Sequence, residues 1–220
     1  MNRDHIDLCS GIGGFALGFS WSNLNTTPKL FCDTEEWCRK VITKNFPNVP
    51  IANDVKEIAS DPKRFIQEKP FILTSGYPCQ PFSVAGRRGG EEDPRHIYPY
   101  IQRIVEQVRP TFTVYENVYG HFSMGLDEVL FQMESIGYAT RTFVFPSSSI
   151  GARHKRDRVW IIGRDMGDPE YNGSSATEIG GGNEEIAERT QKGKKTSKQF
   201  KGTSRSEHSQ TISNSESLGR

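Results

Sequence analysis

The sequence lacks several features that would place it in a class at once. Its four cysteines, Cys9, Cys32, Cys38 and Cys79, form no C-x-x-C pair. That argues against a structural zinc site, and cysteines scattered in this way indicate a reducing compartment. Lys and Arg number 28 against 27 Asp and Glu, a formal net charge of +1. Because there is no global basic field, any nucleic-acid partner must be held by a local patch.

Long apolar runs are also absent. No stretch approaches the roughly 20 apolar residues of a membrane span, and Met1 to His5 lacks the apolar core of a signal peptide. We therefore expect a cytoplasmic protein with no membrane association and no bound metal. At 220 residues the chain is long enough for one well-buried domain and an appendage.

A glycine-rich turn joins the first predicted strand, His5 to Cys9, to a helix over Phe15 to Trp21. Glycines at this place allow a tight turn and let a ligand approach the backbone N–H groups. The G-x-G-G spacing of Gly11, Gly13 and Gly14 is not G-x-G-x-x-G, so NAD is not inferred. A plain structural turn explains the glycines about as well.

Two acids follow predicted strands. Asp33 ends the strand Leu30 to Asp33, where α/β folds bind a pair of ribose hydroxyls. Asp54 closes a third short strand, Ile51 to Val55. A helix N-cap is an equally good interpretation of Asp33, and Asp54 taken alone is predicted to be a solvated loop acid.

Three helices are predicted from apolar spacing and proline position. The first, Glu35 to Asn45, is expected to place Trp37, Val41 and Ile42 on one face. The second covers Asp61 to Glu68, and the third is marked by Tyr98, Ile101, Val105 and Val108.

A cysteine between two prolines follows the apolar run Pro70 to Thr74. Pro78 and Pro81 fix φ on both sides of Cys79 and stop a helix or strand from continuing through it. A fixed, exposed thiol near strand ends is the placement that a nucleophile needs, although an ordinary loop cysteine has the same surroundings.

The polar loop 84–95 then carries Arg87, Arg88 and Arg95. These arginines suit phosphate contacts or a closing lid, and a solvated charged loop is the alternative.

A carboxylate ends the fifth predicted strand, Thr111 to Glu116. Such a group is costly to bury unless it is paired or protonated, which makes Glu116 a functional candidate.

Arg156 and Arg158 alternate before the last strand and so share one face. Two adjacent guanidinium groups favour a bound anion or an acidic partner. An exposed edge charged against aggregation is the alternative.

The composition changes after Gly163. Residues 165–220 are rich in Gly, Ser, Thr, Asn, Glu and Lys and cannot bury a core by themselves. We predict a catalytic domain over 1–164 and, over 165–220, a flexible polar segment or the start of a recognition region.

Four motifs in this order resemble the cytosine-C5 DNA methyltransferases. They are Asp7-Leu8-Cys9-Ser10-Gly11-Ile12-Gly13-Gly14, Gly76-Tyr77-Pro78-Cys79-Gln80, Glu116-Asn117-Val118 and His154-x-Arg156-x-Arg158. The resemblance covers roughly residues 4 to 164. It implies a Rossmann-like α/β methyltransferase fold that uses S-adenosylmethionine, with a mostly parallel sheet and helices on both faces. It also implies a DNA (cytosine-5-)-methyltransferase that acts on double-stranded DNA in a restriction-modification or phage setting.

The resemblance implies roles residue by residue. Cys79 would attack C6 of a flipped-out cytosine, Glu116 would contact N3 and the exocyclic amine, Arg158 would hold O2 and Arg156 would support the site. The cofactor would be bound by Cys9, Gly11, Gly13, Gly14, Asp33, Thr34, Asp54, Val55 and Pro78. DNA would be contacted by Gln80, Ser83, Arg87, Arg88, Arg95 and Asn117.

The sequence departs from the family pattern at three places. Cys9 stands where the family has Phe, and His154 replaces Gln. The target-recognition domain and a later Asn-containing motif do not follow Gly163. We therefore expect a truncated or split enzyme, with a second chain as a candidate source of the recognition domain.

Three other readings stay open at this point. An RNA-directed (tRNA) relative shares the catalytic motifs. A non-catalytic remnant would bind only cofactor or DNA. A thiol-dependent hydrolase would need His96, His121 or His154 as a base beside the thiol.

Overall fold

The computed structural model describes residues 3–78, 97–120 and 125–169, and strands alternate with helices along them. A short 3-10 helix, Ser147–Ile150, lies between the last two strands. In chain order the other elements are β1 (Asp4–Leu8), α1 (Gly14–Ser20), β2 (Thr27–Cys32), α2 (Glu36–Asn45), β3 (Ile51–Ala52), α3 (Val55–Ser60), α4 (Pro62–Phe65), β4 (Ile72–Ser75), α5 (Tyr98–Val108), β5 (Phe112–Val118), α6 (Leu126–Ser135), β6 (Tyr138–Pro146) and β7 (Asp157–Asp165).

The strands form one seven-stranded sheet in the order β3-β2-β1-β4-β5-β7-β6. The first five strands of that order are parallel, and β7 runs antiparallel to both β5 and β6. The mostly parallel sheet predicted from the sequence is confirmed. Chain order reverses between β1 and β4, and α/β folds bind ligands outside the carboxyl ends of the strands at such a point.

Helices cover both faces of the sheet. Phe31 of β2 packs with Ala16 of α1 and Ile42 of α2 on one face. Its neighbours in the strand, Leu30 and Cys32, point to the opposite face and join the larger core, to which α3, α5 and α6 contribute. Burial of alternate residues on both faces explains why β2 carries a continuous apolar run. None of the helices in the described ranges is long and apolar enough to span a bilayer.

The helix predicted over Glu35 to Asn45 is confirmed as α2, but the face assigned to Trp37 is wrong. On α2 the buried residues are Cys38 and Ile42, four positions apart, whereas Trp37 is 60% exposed. Trp37 precedes Cys38 by one residue and therefore points about 100° away from that face.

The bounds of the helix predicted over Asp61 to Glu68 are wrong. The chain instead forms α3 and the single-turn α4. The start of α3 is fixed by Asp54, whose Oδ1 accepts a hydrogen bond from the Lys56 N–H at 2.9 Å. Asp54 is thus a helix cap, and the solvated-acid interpretation is wrong.

Paired charges anchor the far end of β7. Asp165 is 3% exposed; it pairs with Arg109 and with Lys69 Nζ at 3.2 Å. Asp168 Oδ2 lies 2.8 Å from Lys69 Nζ and accepts the Thr111 hydroxyl at 2.6 Å. We call Lys69, Arg109, Asp165 and Asp168 the distal ion cluster, because it lies beside the amino end of β5. Buried contacts therefore continue four residues past the domain boundary predicted at residue 164.

Candidate active site

A cavity of about 770 Å³ opens at the carboxyl ends of β1, β4 and β5. Its walls come from the glycine turn and α1, from the residue after β4, and from β5 and β7. The lining residues are Cys9, Ser10, Gly11, Ile12, Gly14, Phe15, Gly18, Phe19, Gly76, Glu116, Arg156 and Trp160. The cavity lies at the point of reversal where the topology predicts a ligand site.

The glycine turn has a backbone shape that other residues adopt rarely. Gly11 and Gly13 have φ of 55° and 85°, in the left-handed region. A Cβ on Gly13 would lie 2.9 Å from the Phe46 ring, whereas one on Gly11 would meet nothing within 4 Å. Close packing and positive φ thus both require glycine at position 13, and Gly11 leaves open space beside its backbone. The open space beside Gly11 is part of the cavity, because Gly11 is one of the lining residues.

Asp33 ties the end of β2 to the glycine turn. Its Oδ2 accepts the Gly11 N–H at 2.7 Å, and its Oδ1 accepts the Glu35 N–H at 2.9 Å. The N-cap of α2 is Glu35, so the capping interpretation of Asp33 is wrong. Each carboxylate oxygen has two lone pairs, and Asp33 therefore keeps acceptor capacity for a ligand hydroxyl.

The predicted cofactor residues outside the glycine turn and Asp33 differ in how far they are buried. Asp54 is half-buried at the start of α3, and Thr34 is exposed after β2. Val55 is buried in the core, so its backbone alone can face a ligand. Pro78 is exposed and is the last described residue before position 79.

An ion pair joins β5 to β7 at the cavity. Arg158 Nε pairs with Glu116 Oε1, and Glu116 lines the cavity. Both side chains are largely buried, so the interpretation of Arg158 as an exposed edge charge is wrong. A charge-assisted bond of this kind fixes the direction of both side chains. Arg158 therefore has the acidic partner predicted for it, which is Glu116. Arg156 is exposed and lines the cavity.

The backbone that leads to Cys79 is held rigidly. Tyr77 is buried and packs against Tyr98 and Tyr115, with ring centroids 5.4 and 5.8 Å apart. Its carbonyl accepts Asn117 Nδ2 at 3.2 Å. A Cβ on Gly76 would lie 3.6 Å from the Cys9 carbonyl. The segment entering the Pro-Cys turn is therefore fixed between the first strand and β5.

The position of Asn117 does not support the predicted contact with DNA. Its side chain is buried, its Nδ2 is used by Tyr77, and its Oδ1 accepts the Val118 N–H at 2.8 Å. A side chain that is 3% exposed and bonded inside the protein at both ends is not accessible to a substrate. Asn117 is a positioning residue for the turn before Cys79.

Comparison with known proteins assigns a family to this arrangement. The model of the C-5 cytosine-specific DNA methylases matches residues 4–217. The chain belongs to this family. Its resemblance to these methylases, inferred above from four short motifs, is confirmed.

Several curated methylases are similar to the chain. It is 31% identical over 194 residues to the type II methyltransferase M1.HphI of Haemophilus parahaemolyticus, covering 81% of this chain and 50% of that protein. It is 33% identical over 171 residues to M.Sau96I of Staphylococcus aureus, covering 74% and 39%. The chain thus spans about half the length, or less, of these relatives.

Solved structures show the same fold. The Spodoptera frugiperda DNMT2 structure superposes with a TM-score of 0.64 at 22% identity, over 76% of this chain and 52% of that one. The S. pombe Dnmt2 methyltransferase gives 0.65 at 19% identity, over 80% and 57%. The Rossmann-like methyltransferase fold predicted for the chain is confirmed.

Part of the predicted methylase site lies outside the described residues. These positions are Cys79, Gln80, Ser83, Arg87, Arg88 and Arg95. Two described cysteines are poor candidates for the nucleophile, because burial raises the pKa of Cys9 to about 12 and raises that of Cys32 further. Cys38 is buried. This leaves Cys79 as the sequence-based candidate.

Sequence reasoning missed the aromatic wall of the methylase cavity. Phe15 of α1 meets Trp160 of β7 edge to face, with ring centroids 5.7 Å apart, and Phe19 follows Phe15 at 6.4 Å. Two signals were present in the sequence: the i, i+4 spacing of the two phenylalanines, and the alternation of Trp160 with Arg158. The wall gives a ligand an apolar surface in the same cavity as the polar glycine turn.

A buried polar chain lies behind that wall. The Thr74 hydroxyl donates to Asp7 Oδ1 at 2.6 Å and lies 2.7 Å from His5 Nε2. Asp7 Oδ2 and His5 Nδ1 are buried and have no hydrogen-bond partner within the described part of the chain. Burial raises the pKa of Asp7 to about 7 and lowers that of His5 to about 3. Both side chains are therefore neutral in the folded protein at mildly acidic pH.

These two shifts have opposite effects on stability. Between about pH 4 and 7 the folded state keeps a proton on Asp7 that the unfolded state loses, so this group makes unfolding easier as pH rises. Between about pH 3 and 6.5 the unfolded state binds a proton on His5 that the folded state rejects, so this group makes unfolding harder as pH rises. In the unsubstituted chain the two slopes largely offset each other between about pH 4 and 6.5.

Removing either group should expose the slope of the other. In Asp7→Asn we expect the free energy of unfolding to rise between pH 4.5 and 6.5, by up to about 1.4 kcal/mol per pH unit. In His5→Asn we expect it to fall over the same range. Urea unfolding at pH 4.5, 5.5 and 6.5 measures both. Parallel curves for the two variants would contradict the assignment.

Proposed function

We propose that the chain carries the cofactor-binding and catalytic part of a DNA (cytosine-5-)-methyltransferase. The observation that carries the proposal is the position of Glu116, which lines the same cavity as the glycine turn, pairs with Arg158 and lies beside Gly76 on the backbone that leads to Cys79. The family match supports the same chemistry. The type II relatives support a role in restriction-modification. A second chain that supplies target recognition stays a prediction.

The cavity fits S-adenosylmethionine in size and in chemistry. About 770 Å³ lies within the range of sites for ligands of this size. The glycine-turn backbone would face the methionine moiety, Asp33 would accept from the ribose hydroxyls, and the Phe15–Trp160 wall would contact apolar parts. When bound, S-adenosylmethionine supplies an electrophilic methyl group.

The residues of the chain would prepare the cytosine to accept that methyl group. The Cys79 thiolate adds to C6, and the electron pair of the C5–C6 double bond becomes available at C5. Glu116 donates a hydrogen bond or proton at N3 and limits the negative charge that builds up on the ring. Arg158 holds O2 and orients Glu116. After C5 is methylated, loss of the C5 proton restores the double bond and expels the thiolate.

A cytosine stacked in a duplex cannot reach a thiol placed in this way. The base would have to leave the helix and enter the cavity, as in other enzymes that modify bases. Double-stranded DNA is therefore the proposed partner. Arg156 is exposed and lines the cavity wall, and it would support the site there by meeting the backbone of the extruded nucleotide.

A trapped adduct tests the proposed function. We would incubate the 220-residue chain with S-adenosylmethionine and duplex DNA that contains 5-fluorocytosine. Because fluorine at C5 cannot leave as a cation, the thiol stays attached to C6 after methyl transfer. We expect a covalent protein–DNA complex whose peptide map places the link at Cys79.

Three outcomes separate the alternatives. An adduct on tRNA and not on duplex DNA would favour the RNA-directed reading. Cofactor binding by calorimetry without an adduct on either nucleic acid would favour a binding module. An adduct at any residue other than Cys79 would contradict the mechanism.

A further inference from the structure

The loop between β6 and β7 is short and internally bonded. We call residues 147–156 the tip loop. The Ser147 N–H and hydroxyl both donate to the Arg156 carbonyl, at 3.0 and 3.1 Å. The Ala152 N–H donates back to the Ser147 carbonyl at 3.2 Å, and the Ser149 hydroxyl donates to the Pro146 carbonyl at 2.7 Å. These bonds hold the loop in one shape before any partner arrives, which lowers the entropic cost of binding.

Positive charge is concentrated on this loop. Arg153, His154, Lys155 and Arg156 are consecutive and all exposed. Among the described residues Arg153 makes no ion pair, and Lys155 reaches only Asp157, at 3.9 Å. The whole chain has a formal net charge of +1, so this group of cations is a local feature. A cluster of positively charged side chains on a protein with almost no net charge indicates a binding site for a polyanion.

The loop lies next to the cavity. Its last residue, Arg156, is part of the cavity wall, and Arg158, two residues later, pairs with Glu116. The strands on either side are in register from Pro146 and Asp157 onward. The loop therefore projects from the edge of the sheet at which the cavity opens.

An apolar side chain stands at the turn of this basic loop. Ile150 is 86% exposed, the most exposed of the large hydrophobic residues in the described ranges. It immediately precedes Gly151, whose φ of 86° makes the turn. An isoleucine exposed to water at this place is unfavourable, and a loop that only presents charge to the solvent does not require it. Phosphate-binding cations beside an apolar contact do match the alternating phosphates and sugars of a nucleic-acid strand.

We propose that the tip loop binds the backbone of duplex DNA beside the nucleotide that enters the cavity. Arg153 and Lys155 contact phosphates, and Ile150 packs against an adjacent deoxyribose. This assignment rests on the proposed function, because it takes the strand that delivers a cytosine to the cavity as its ligand. It adds the residues that hold that strand in place.

Salt dependence separates the two kinds of contact. Each phosphate contact contributes about 0.9 to the slope of log K against log salt for duplex DNA. For Arg153→Ala/Lys155→Ala we expect roughly tenfold weaker binding at low salt and a slope smaller by about two. For Ile150→Ser we expect weaker binding with an unchanged slope. The measurement is fluorescence anisotropy of a labelled 30-base-pair duplex at several salt concentrations.

The matched control removes two cations elsewhere. Lys44 in the last turn of α2 and Lys63 of α4 are both exposed, and they lie on segments that lead back to the amino ends of the next strands. Lys44→Ala/Lys63→Ala should leave the slope unchanged. Calorimetric binding of S-adenosylmethionine to every variant checks that the cavity is intact.

Each outcome bears on one proposal. A tip-loop variant with the same slope and affinity as the unsubstituted chain would overturn the loop assignment and leave the proposed function standing. Equal losses in the tip-loop and control variants would also overturn it, because the effect would then be one of total charge. Failure of the unsubstituted chain to bind the duplex at low salt would contradict both.

Discussion

Glu116→Gln should lower the rate of methyl transfer about 100-fold or more. General acid catalysis contributes about 10² to 10⁴ in rate, and a glutamine cannot deliver a proton to N3. It keeps the shape of the side chain and can still accept a hydrogen bond from Arg158, which now pairs with Glu116. We therefore expect the affinity for S-adenosylmethionine to stay within about threefold of the unsubstituted value. Single-turnover transfer of a labelled methyl group measures the first quantity, and calorimetry measures the second.

Glu128→Gln is the matched control, because Glu128 is an exposed glutamate on α6. It should transfer methyl groups at the unsubstituted rate. A Glu116→Gln variant with a rate within threefold of that value would remove Glu116 from the catalytic step. A variant that lost rate and cofactor affinity together would show that Glu116 shapes the cavity and does not act on the base.

Asp165→Asn should cost about 3 kcal/mol of folding free energy. Breaking one side of a buried ion pair typically costs 3–5 kcal/mol, since the remaining charge is left uncompensated. The lower end applies because Arg109 and Lys69 are each about one-third to two-fifths exposed and Lys69 keeps Asp168. For a chain of this size the melting temperature should fall by roughly 6–12 °C. Urea unfolding at neutral pH measures the free energy directly.

An exposed ion pair on α2 serves as the control. Glu36 and Lys40 lie 2.7 Å apart, with side chains 71% and 74% exposed. Glu36→Gln should change the unfolding free energy by less than about 0.5 kcal/mol. A loss below about 1 kcal/mol in Asp165→Asn would mean that the distal ion cluster is solvated in practice. Cofactor affinity should not change in either variant.

The strands and the polar ends of the site could be predicted from the sequence because their signals are local. Apolar runs marked β1, β4 and β5, and glycine spacing marked the turn that lines the cavity. Glu116 was selected because a carboxylate at the end of a buried strand needs a partner. The sequence does not reveal that this partner is Arg158 on β7, because their meeting depends on the register of the sheet.

The remaining parts of the site depend on long-range pairing. Phe15 and Trp160 meet only because β7 is inserted antiparallel beside β5, an arrangement that no local pattern encodes. The same register places Arg158 beside Glu116. The exposure of Trp37 has a different cause: it lies one residue before the buried Cys38 on a correctly predicted helix, and its side chain therefore points about 100° away from the buried face.

The direction of β7 also limits how far later parts of the polypeptide can reach. The strand passes the cavity at Arg158 and ends at Asp165 beside the start of β5. At about 3.4 Å per residue, those seven steps carry the chain roughly 24 Å away from the cavity. A residue beyond Asp165 can touch DNA at the cavity only after a return path of at least about seven extended residues. The distal ion cluster thus fixes the end of β7 at a point roughly 24 Å from the cavity, and the length of β7 sets that separation.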